Sequence, residues 1–292
     1  MKSSFLSKLD SNVRKLSKGH KKIASYIKEN YDKAAFMTAS ALGRKVGVSE
    51  STVVRFATEL GFKGYPEVPK ELQQMIKSKL TAVQRMEVSE SLIGDNDIVR
   101  TVLNGDIDLI RETYEKTSRE DFAKAVSTIN KARKIYILGV RSSAALASFL
   151  GFYFNLVFDS VELIDTSSAS EMFEQMFRID KEDVCIAISF PRYSKQTVNA
   201  IRFVSDRGAK IVAITDSDTS PIASYADCLL VARSDMASVV DSLVAPLSLI
   251  NALIVAVTLS KREEVINNFN KLESIWDEYQ VYEKAEDISE NE

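Results

Sequence analysis

Apolar residues return at three- and four-residue steps through the first eighty positions of the chain. Phe5, Leu9, Val13 and Leu16 fall on one helical face, as do Ile23, Tyr26, Ile27, Tyr31 and Ala34, with a break at Phe36–Met37. Thr38 is placed to cap a short helix through Val46, with Ala41, Leu42 and Val46 inward. Gly47 supplies the backbone freedom of a tight turn, and Ser49 caps a second helix, SESTVVRFATEL, that stops at Gly61. A loop leads into a further helix in which Pro66 and Pro69 sit in or near the first turn, where a missing N–H matters little. From Thr81 to Ser91 the period weakens, which reads as a linker. Helical spacing returns over 95–130, carried by Ile98, Val102, Ile107, Leu109, Ile110 and Tyr114.

At residue 135 the period changes. Short apolar runs (IYILG, VELID, VCIAIS, KIVAIT, CLLVA) alternate with helical stretches from Ser142, around 194–207 and from about Val239. Strands of this length separated by helices imply right-handed crossovers and a buried sheet. The fold class expected is therefore an all-α N-terminal bundle followed by an α/β domain with a five-stranded parallel sheet flanked by helices. The boundaries expected are 1–80 for the bundle, 81–127 for a helical linker, 128–276 for the α/β domain and 277–292 for an acidic, frayed C-terminal tail.

Composition narrows the options. A chain of 292 residues that is 45% hydrophobic and 27% charged suits two ordinary globular domains. The longest apolar stretch, Leu243 to Leu259, contains Pro246, Ser248, Asn251 and Thr258, and reads as a buried helix, not a membrane span. The N-terminus has no apolar run before its charges, so no secretory signal is read and a cytoplasmic location is expected. Cys185 and Cys228 lie inside apolar runs and are expected to be buried side chains without disulfide or metal roles. His20 is the sole histidine and builds no metal site alone. No cofactor and no metal are expected. The formal charge of −3 conceals a segregation: residues 1–80 carry +9 and the remainder −12, the pattern of a polyanion-binding module on an acidic body.

Within the basic module, residues 38–61 meet the geometry of a helix-turn-helix. Val53, Phe56 and Leu60 share the inner face of the second helix, while Ser51, Thr52 and Arg55 lie on other faces of the half that enters the major groove in this motif. The candidate DNA-contacting set is Thr38, Ser49, Ser51, Thr52, Arg55 and Lys63, with Lys63 assigned to backbone phosphate. The alternative is that the hydroxyls only finish a helix cap and Arg55 is a solvated charge. The string VGVSESTVVRFATELGFKGYPE (46–67) resembles the signature GVSxxTVxRFxxxLGFxGf of the RpiR/MurR family of bacterial regulators. That resemblance implies a recognition helix starting at Ser49 and a C-terminal sugar isomerase (SIS) domain.

The C-terminal half contains two loops suited to an anion. IYILGVRSS (135–143) is a strand, a turn and two serines opening a helix, and SFPRYSKQT follows a later strand, so both lie where ligands bind in open α/β sheets. The run 130–260 resembles the SIS domain, in which a G-x-G-S-S turn and an S-x-S-G-x-T loop hold a sugar's phosphate. Gly139, Ser142 and Ser143 match the first pattern and Ser189 and Ser194 the second. Arg141 replaces a glycine of the first, while Pro191 and Arg192 replace a serine and a glycine of the second. The expected effector-binding set is Arg141, Ser142, Ser143, Ser189, Arg192 and Ser194, with the arginines supplying charge-assisted hydrogen bonds. Alternatively, the arginines pair with Glu171, Glu174 or a subunit partner.

Three functions compete. The first is a transcription regulator, not an enzyme. It would bind a palindromic operator in double-stranded DNA as a homodimer or homotetramer, and a phosphorylated sugar, with amino and acidic forms included, would modulate it. The second is a sugar-phosphate isomerase or lyase with an accessory basic domain, for which Asp165, Glu171 and Asp241 are candidate bases by position. The third is an effector-independent structural DNA-binding protein.

Overall fold

The computed structural model of the protein describes residues 9, 16–76, 81–93, 97–166, 168–236 and 240–282, which form two compact units. The first gathers residues up to Val102 with Met236–Asp241; the second holds Leu103–Asp235 and the chain from Ser242 onward.

The first unit contains α1 (Lys18–Glu29), α2 (Tyr31–Ala34), α3 (Ala39–Val46), α4 (Glu50–Glu59), α5 (Glu67–Ile76) and α6 (Ala82–Ile93). Thr38 Oγ1 accepts from Ala41 N at 3.1 Å and Ser49 Oγ from Thr52 N at 3.3 Å, so both capping serine and threonine residues start their helices as read. Gly47 is left-handed (φ 71°, ψ 45°) and turns the chain between α3 and α4. Leu9, Leu16, Ile23, Ile27, Leu42, Val53, Phe56, Leu60, Val68 and Leu72 form one core. The rest of the first expected helix, from Phe5, lies outside the described residues. The apolar run 23–34 is two helices and not one. Asn30 donates twice to Tyr26 O, from its backbone N (2.8 Å) and from Nδ2 (3.2 Å), which closes α1. The expected break at Phe36–Met37 is held by α5 and the turn before it: Tyr65 Oη donates to Met37 O at 3.0 Å and, from α5, Gln73 Nε2 to Ala35 O at 2.8 Å.

The stretch in which the apolar period weakens, Thr81 to Ser91, is helical. Its period is obscured because its buried side is polar. Arg85 (2% exposed) and Ser89 (6%) face inward while Val83 and Met86 face outward. Within this unit Arg85 Nη1 donates to Asp241 Oδ1 at 2.9 Å, which compensates the buried guanidinium.

The helical stretch after residue 95 is likewise two helices, α7 (Ile98–Lys116) and α8 (Arg119–Lys131), separated where Ser118 Oγ accepts from Asp121 N. There follow β1 (Ile135–Gly139), α9 (Ser142–Val157), β2 (Val161–Ile164), α10 (Ala169–Met176), β3 (Val184–Ile188), α11 (Lys195–Asp206), β4 (Lys210–Thr215), β5 (Cys228–Val231), α12 (Val244–Ser260) and α13 (Arg262–Glu278). The five strands are parallel in the order β2-β1-β3-β4-β5. Strand alternation divides the interior: Ile137, Ile186, Ile188, Val212 and Ile214 pack with α8, α9 and α12. On the other face Tyr136, Leu138, Ala187 and Ala213 pack with α10 and α11. Cys185 and Cys228 belong to opposite layers and are free thiols; burial pushes Cys185 up to about 12 and raises Cys228 as well.

The helix read from near Val239 begins at Val244; residues 237–239 lie outside the described residues. Before it, Ser242 N donates to Asp235 O (2.8 Å) and Ser242 Oγ to Asp106 Oδ1 (2.5 Å), a non-helical anchor. Among the described residues no single helix is long and apolar enough to cross a membrane, and α12 is a core helix of its unit. The acidic tail after Tyr282 lies outside the described residues.

Candidate functional site

Helix α4 presents two unlike sides. Val53, Phe56, Ala57 and Leu60 are buried, whereas Ser49, Ser51, Val54, Arg55 and Thr58 are exposed and Thr52 is half-buried. Three of the expected contact residues are tied to one another: Ser49 Oγ lies 2.9 Å from Ser51 Oγ and 2.8 Å from Thr52 Oγ1. This hydroxyl cluster therefore does cap α4, while Ser49 and Ser51 remain accessible. Arg55 Nε donates to Ser51 O at 3.3 Å, which leaves the terminal guanidinium nitrogens outward. Thr38 and Lys63 are exposed, and Lys63 N donates to Glu67 Oε2 at 2.9 Å. The structure thus brings Ser49, Ser51, Thr52 and Arg55 onto one helix end. Arg44 and Lys45 add exposed positive charge from the last turn of α3.

The positioning is tight. A Cβ on Gly43 would stand 2.8 Å from Val48 O, so only glycine lets α3 approach the turn before α4 this closely. On the inner side His20, which the sequence leaves without a role, is buried beneath α4. Its Nδ1 is 2.6 Å from Glu59 Oε2 and its ring meets Phe56 edge-on at 5.7 Å, so it docks α1 against the recognition element.

The second site lies at the C-terminal edge of the sheet. Gly139 pairs in register with Ile188, and Ile188 with Ile214, so the residues that follow form a row across the edge: Val140, Ser189, Thr215. The first loop is a tight turn in which Ser143 N donates to Val140 O at 3.2 Å. Arg141 occupies its first corner with φ 58° and ψ −126°, the shape of a II′ turn and a region that glycine favours. A Cβ on Gly139 would come within 2.6 Å of Ser143 O, so the start of α9 rests directly on the strand end. Because the N–H groups of Ser143 and Ala144 close this turn (Ala144 N to Arg141 O, 3.1 Å), they are less open to an anion than a plain helix start would be. Arg141 and Ser142 are the exposed side chains of this loop, and Ser143 is buried.

The second loop keeps its donors. Ser194 is the N-cap of α11, yet its hydroxyl makes no capping bond, and the N–H groups of Lys195, Gln196 and Thr197 have no acceptor among the described residues. Arg192 is exposed and Ser189 is buried. Neither Arg141 nor Arg192 forms an ion pair among the described residues, so neither pairs with Glu171 or Glu174; Glu171 instead accepts from Thr166 Oγ1 at 2.6 Å.

Two residues at this edge escaped the sequence reading. Asp216, 6% exposed, accepts at Oδ1 from Tyr193 Oη (2.7 Å) and from Thr215 Oγ1 (3.3 Å). Burial, then the Asp216 charge and its hydrogen bond, push the Tyr193 hydroxyl well above its ordinary pKa. The available signal is the polar run TDSDTS (215–220), which begins at the last residue of the strand KIVAIT. Of the candidate bases, Asp165 and Glu171 are exposed and Asp241 is held by Arg85 in the first unit. Among the described residues no three His, Cys, Asp or Glu side chains converge as a metal set.

Fold and sites together define a class: a helix-turn-helix DNA-binding regulator that carries a sugar-isomerase-type α/β domain. Residues 3–79 match the helix-turn-helix domain of the rpiR family, and residues 128–256 match the SIS domain. The chain thus carries a helix-turn-helix domain of the rpiR family followed by a SIS domain. It is 29% identical over 229 residues to an uncharacterized HTH-type transcriptional regulator of Haemophilus influenzae, covering 77% of this chain and 78% of that one. It is 24% identical to the regulator HexR of Pseudomonas aeruginosa, over 88% of this chain and 90% of its relative. Among solved structures, the sugar isomerase domain of an RpiR transcription factor from Sphaerobacter thermophilus aligns with a TM-score of 0.57 at 26% identity. It covers 60% of this chain and 97% of that one. The Vibrio vulnificus NanR protein, solved in complex with ManNAc-6P, aligns with a TM-score of 0.58 at 21% identity over 94% and 99% of the two chains, a likeness of fold.

Proposed function

We propose that the protein binds a palindromic operator as a homodimer or homotetramer in the cytoplasm. A phosphorylated sugar held at the C-terminal edge of its sheet modulates that binding. The single observation that carries the DNA half is the division of α4: a buried apolar side seats it while Ser49, Ser51 and Arg55 stand outward at its N-terminal end. Thr52 and the exposed Thr38 and Lys63 supply positioning contacts to phosphate, and Arg55 reads a guanine edge. The effector half rests on Ser194, Arg192 and the free first-turn N–H groups of α11, opposite Arg141, Ser142 and Ser143, with Ser189 at the floor.

Self-association is supported by exposed apolar positions. Val99, Leu103, Ile107, Ile110 and Tyr114 form one stripe at helical spacing on α7, and Phe152 and Tyr153 stand out from α9. A dimer would present two α4 helices to half-sites about one helical turn, roughly 34 Å, apart.

The test is selection of bound duplexes from a random library by the full chain, with and without sugar phosphates. The expected product is an inverted pair of half-sites, with retention altered by at least one sugar phosphate. Sequence-indifferent retention that no sugar phosphate alters would overturn the proposal.

A further inference from the structure

The buried carboxylate at the sheet edge plays no part in anion binding, and it is here that the structure says most about which sugar fits. Asp216 stands one residue beyond β4, beside Phe190 in the extension of the β3–β4 register and two strands from Arg141. Its Oδ1 is occupied by two hydroxyl donors, Tyr193 and Thr215. Its Oδ2 receives no hydrogen bond among the described residues, yet it is not among the fully enclosed, unpartnered atoms, so the small exposed part of Asp216 includes this oxygen. No lysine or arginine among the described residues forms an ion pair with Asp216, although Arg192 is only one residue from its partner Tyr193.

A carboxylate this buried, with no cation beside it, is an expensive arrangement unless something supplies the missing donor. Its neighbours fix where that donor would come from. The Tyr193 bond ties Asp216 to the loop that carries Arg192 and Ser194, so the negative group and the anion-binding group share one mouth. The loop of Arg192 and Ser194 follows β3 and Asp216 follows β4, so the cationic and anionic poles leave adjacent strands about 5 Å apart, within the reach of one hexose phosphate.

We infer that Asp216 Oδ2 receives the ammonium group of the effector, so that the site prefers a hexosamine phosphate with a free amine. Its N-acetylated and neutral counterparts bind less well. The inference rests on the proposed effector site and adds a second pole to it. The phosphate engages Arg192, Ser194 and the start of α11. The amine engages Asp216, whose orientation Tyr193 and Thr215 fix through Oδ1. Acetylation removes the charge and adds bulk at the point where the carboxylate is most enclosed.

Binding is measured by titration calorimetry on the full chain. The probes are the 2-amino-2-deoxy-hexose 6-phosphates of gluco, manno and galacto configuration, their N-acetyl forms, the parent hexose 6-phosphates and inorganic phosphate. One free amine is expected to bind at least about tenfold more tightly than its N-acetyl and hydroxyl counterparts, a difference of about 1.4 kcal/mol. Asp216→Asn should erase that margin. The comparison among probes on the unaltered chain needs no variant. If hexose or N-acetyl phosphates bind as tightly as every free amine, the Asp216 assignment is overturned while the anion site stands. If no phosphate probe binds, both fall.

Discussion

Arg141 is a residue with two demands on it. A side chain at φ 58° and ψ −126° stores roughly 1–3 kcal/mol of strain, and glycine would release it while adding about 0.5–1 kcal/mol of unfolded-state entropy. Arg141→Gly should therefore raise the melting temperature modestly, by a net gain of about 1 kcal/mol, while weakening the binding of sugar phosphates. A variant that loses stability, or binds every phosphate unchanged, would show that the side chain is there for another reason. Thr197 carries the opposite lesson. It is 1% exposed and its Oγ1 has no partner among the described residues, so Thr197→Val, which removes that hydroxyl at nearly constant shape, should be neutral or stabilising by about 1 kcal/mol in denaturant titrations. Neither feature is legible in the sequence. Arg141 is visible there as a departure from a glycine pattern, but its dihedral angles exist only once β1 and α9 are packed.

At the scale of elements, the turns were readable and the polar contacts were not. Thr38, Gly47, Ser49 and Gly61 announced α3 and α4 because capping and left-handed turns depend on local chemistry. Helix α6 shows only a weak period because it buries Arg85 and Ser89, and a hydrophobic period cannot mark a helix whose inner face is polar. Gly43 belongs to the same category: its need for glycine arises from Val48 O, five residues on and across a turn. Gly43→Ala should cost about 1–3 kcal/mol and reduce DNA affinity by misplacing α4, read by thermal melting and by anisotropy with a selected operator. In the sheet, Asp227 anchors the start of β4, accepting from Ile211 N (2.9 Å) and Lys210 Nζ (2.7 Å). Burial alone would raise its pKa, but these bonds and nearby lysines outweigh burial and hold it below the ordinary carboxylate value. A depressed native pKa gives stability that is present above the unfolded value and is lost as pH falls through the folded one. Asp227→Asn should thus be less stable near neutrality and flatten the decline below about pH 4 in acid titrations followed by circular dichroism.

For the whole molecule, the exposed stripe on α7 is where the proposed association is tested. Leu103→Glu with Ile107→Glu should shift the chain toward monomer in sedimentation and weaken operator binding, with little change in secondary structure. Unchanged assembly in the double variant would exclude this stripe as a subunit contact. Taken by itself, the sequence determined the basic helical module, the parallel α/β order, the two buried cysteines and the two loops that follow β1 and β3. Each of these follows from local periodicity, capping chemistry or charge along the chain. Only the tertiary structure decided that Asp216 and Tyr193 meet, that His20 seats α1 on α4, that Asp241 belongs with Arg85, and that the first-loop N–H groups are already engaged. These pairings join residues 23, 39 and 156 positions apart, or turn on backbone angles that packing imposes. No pattern of neighbouring residues encodes them.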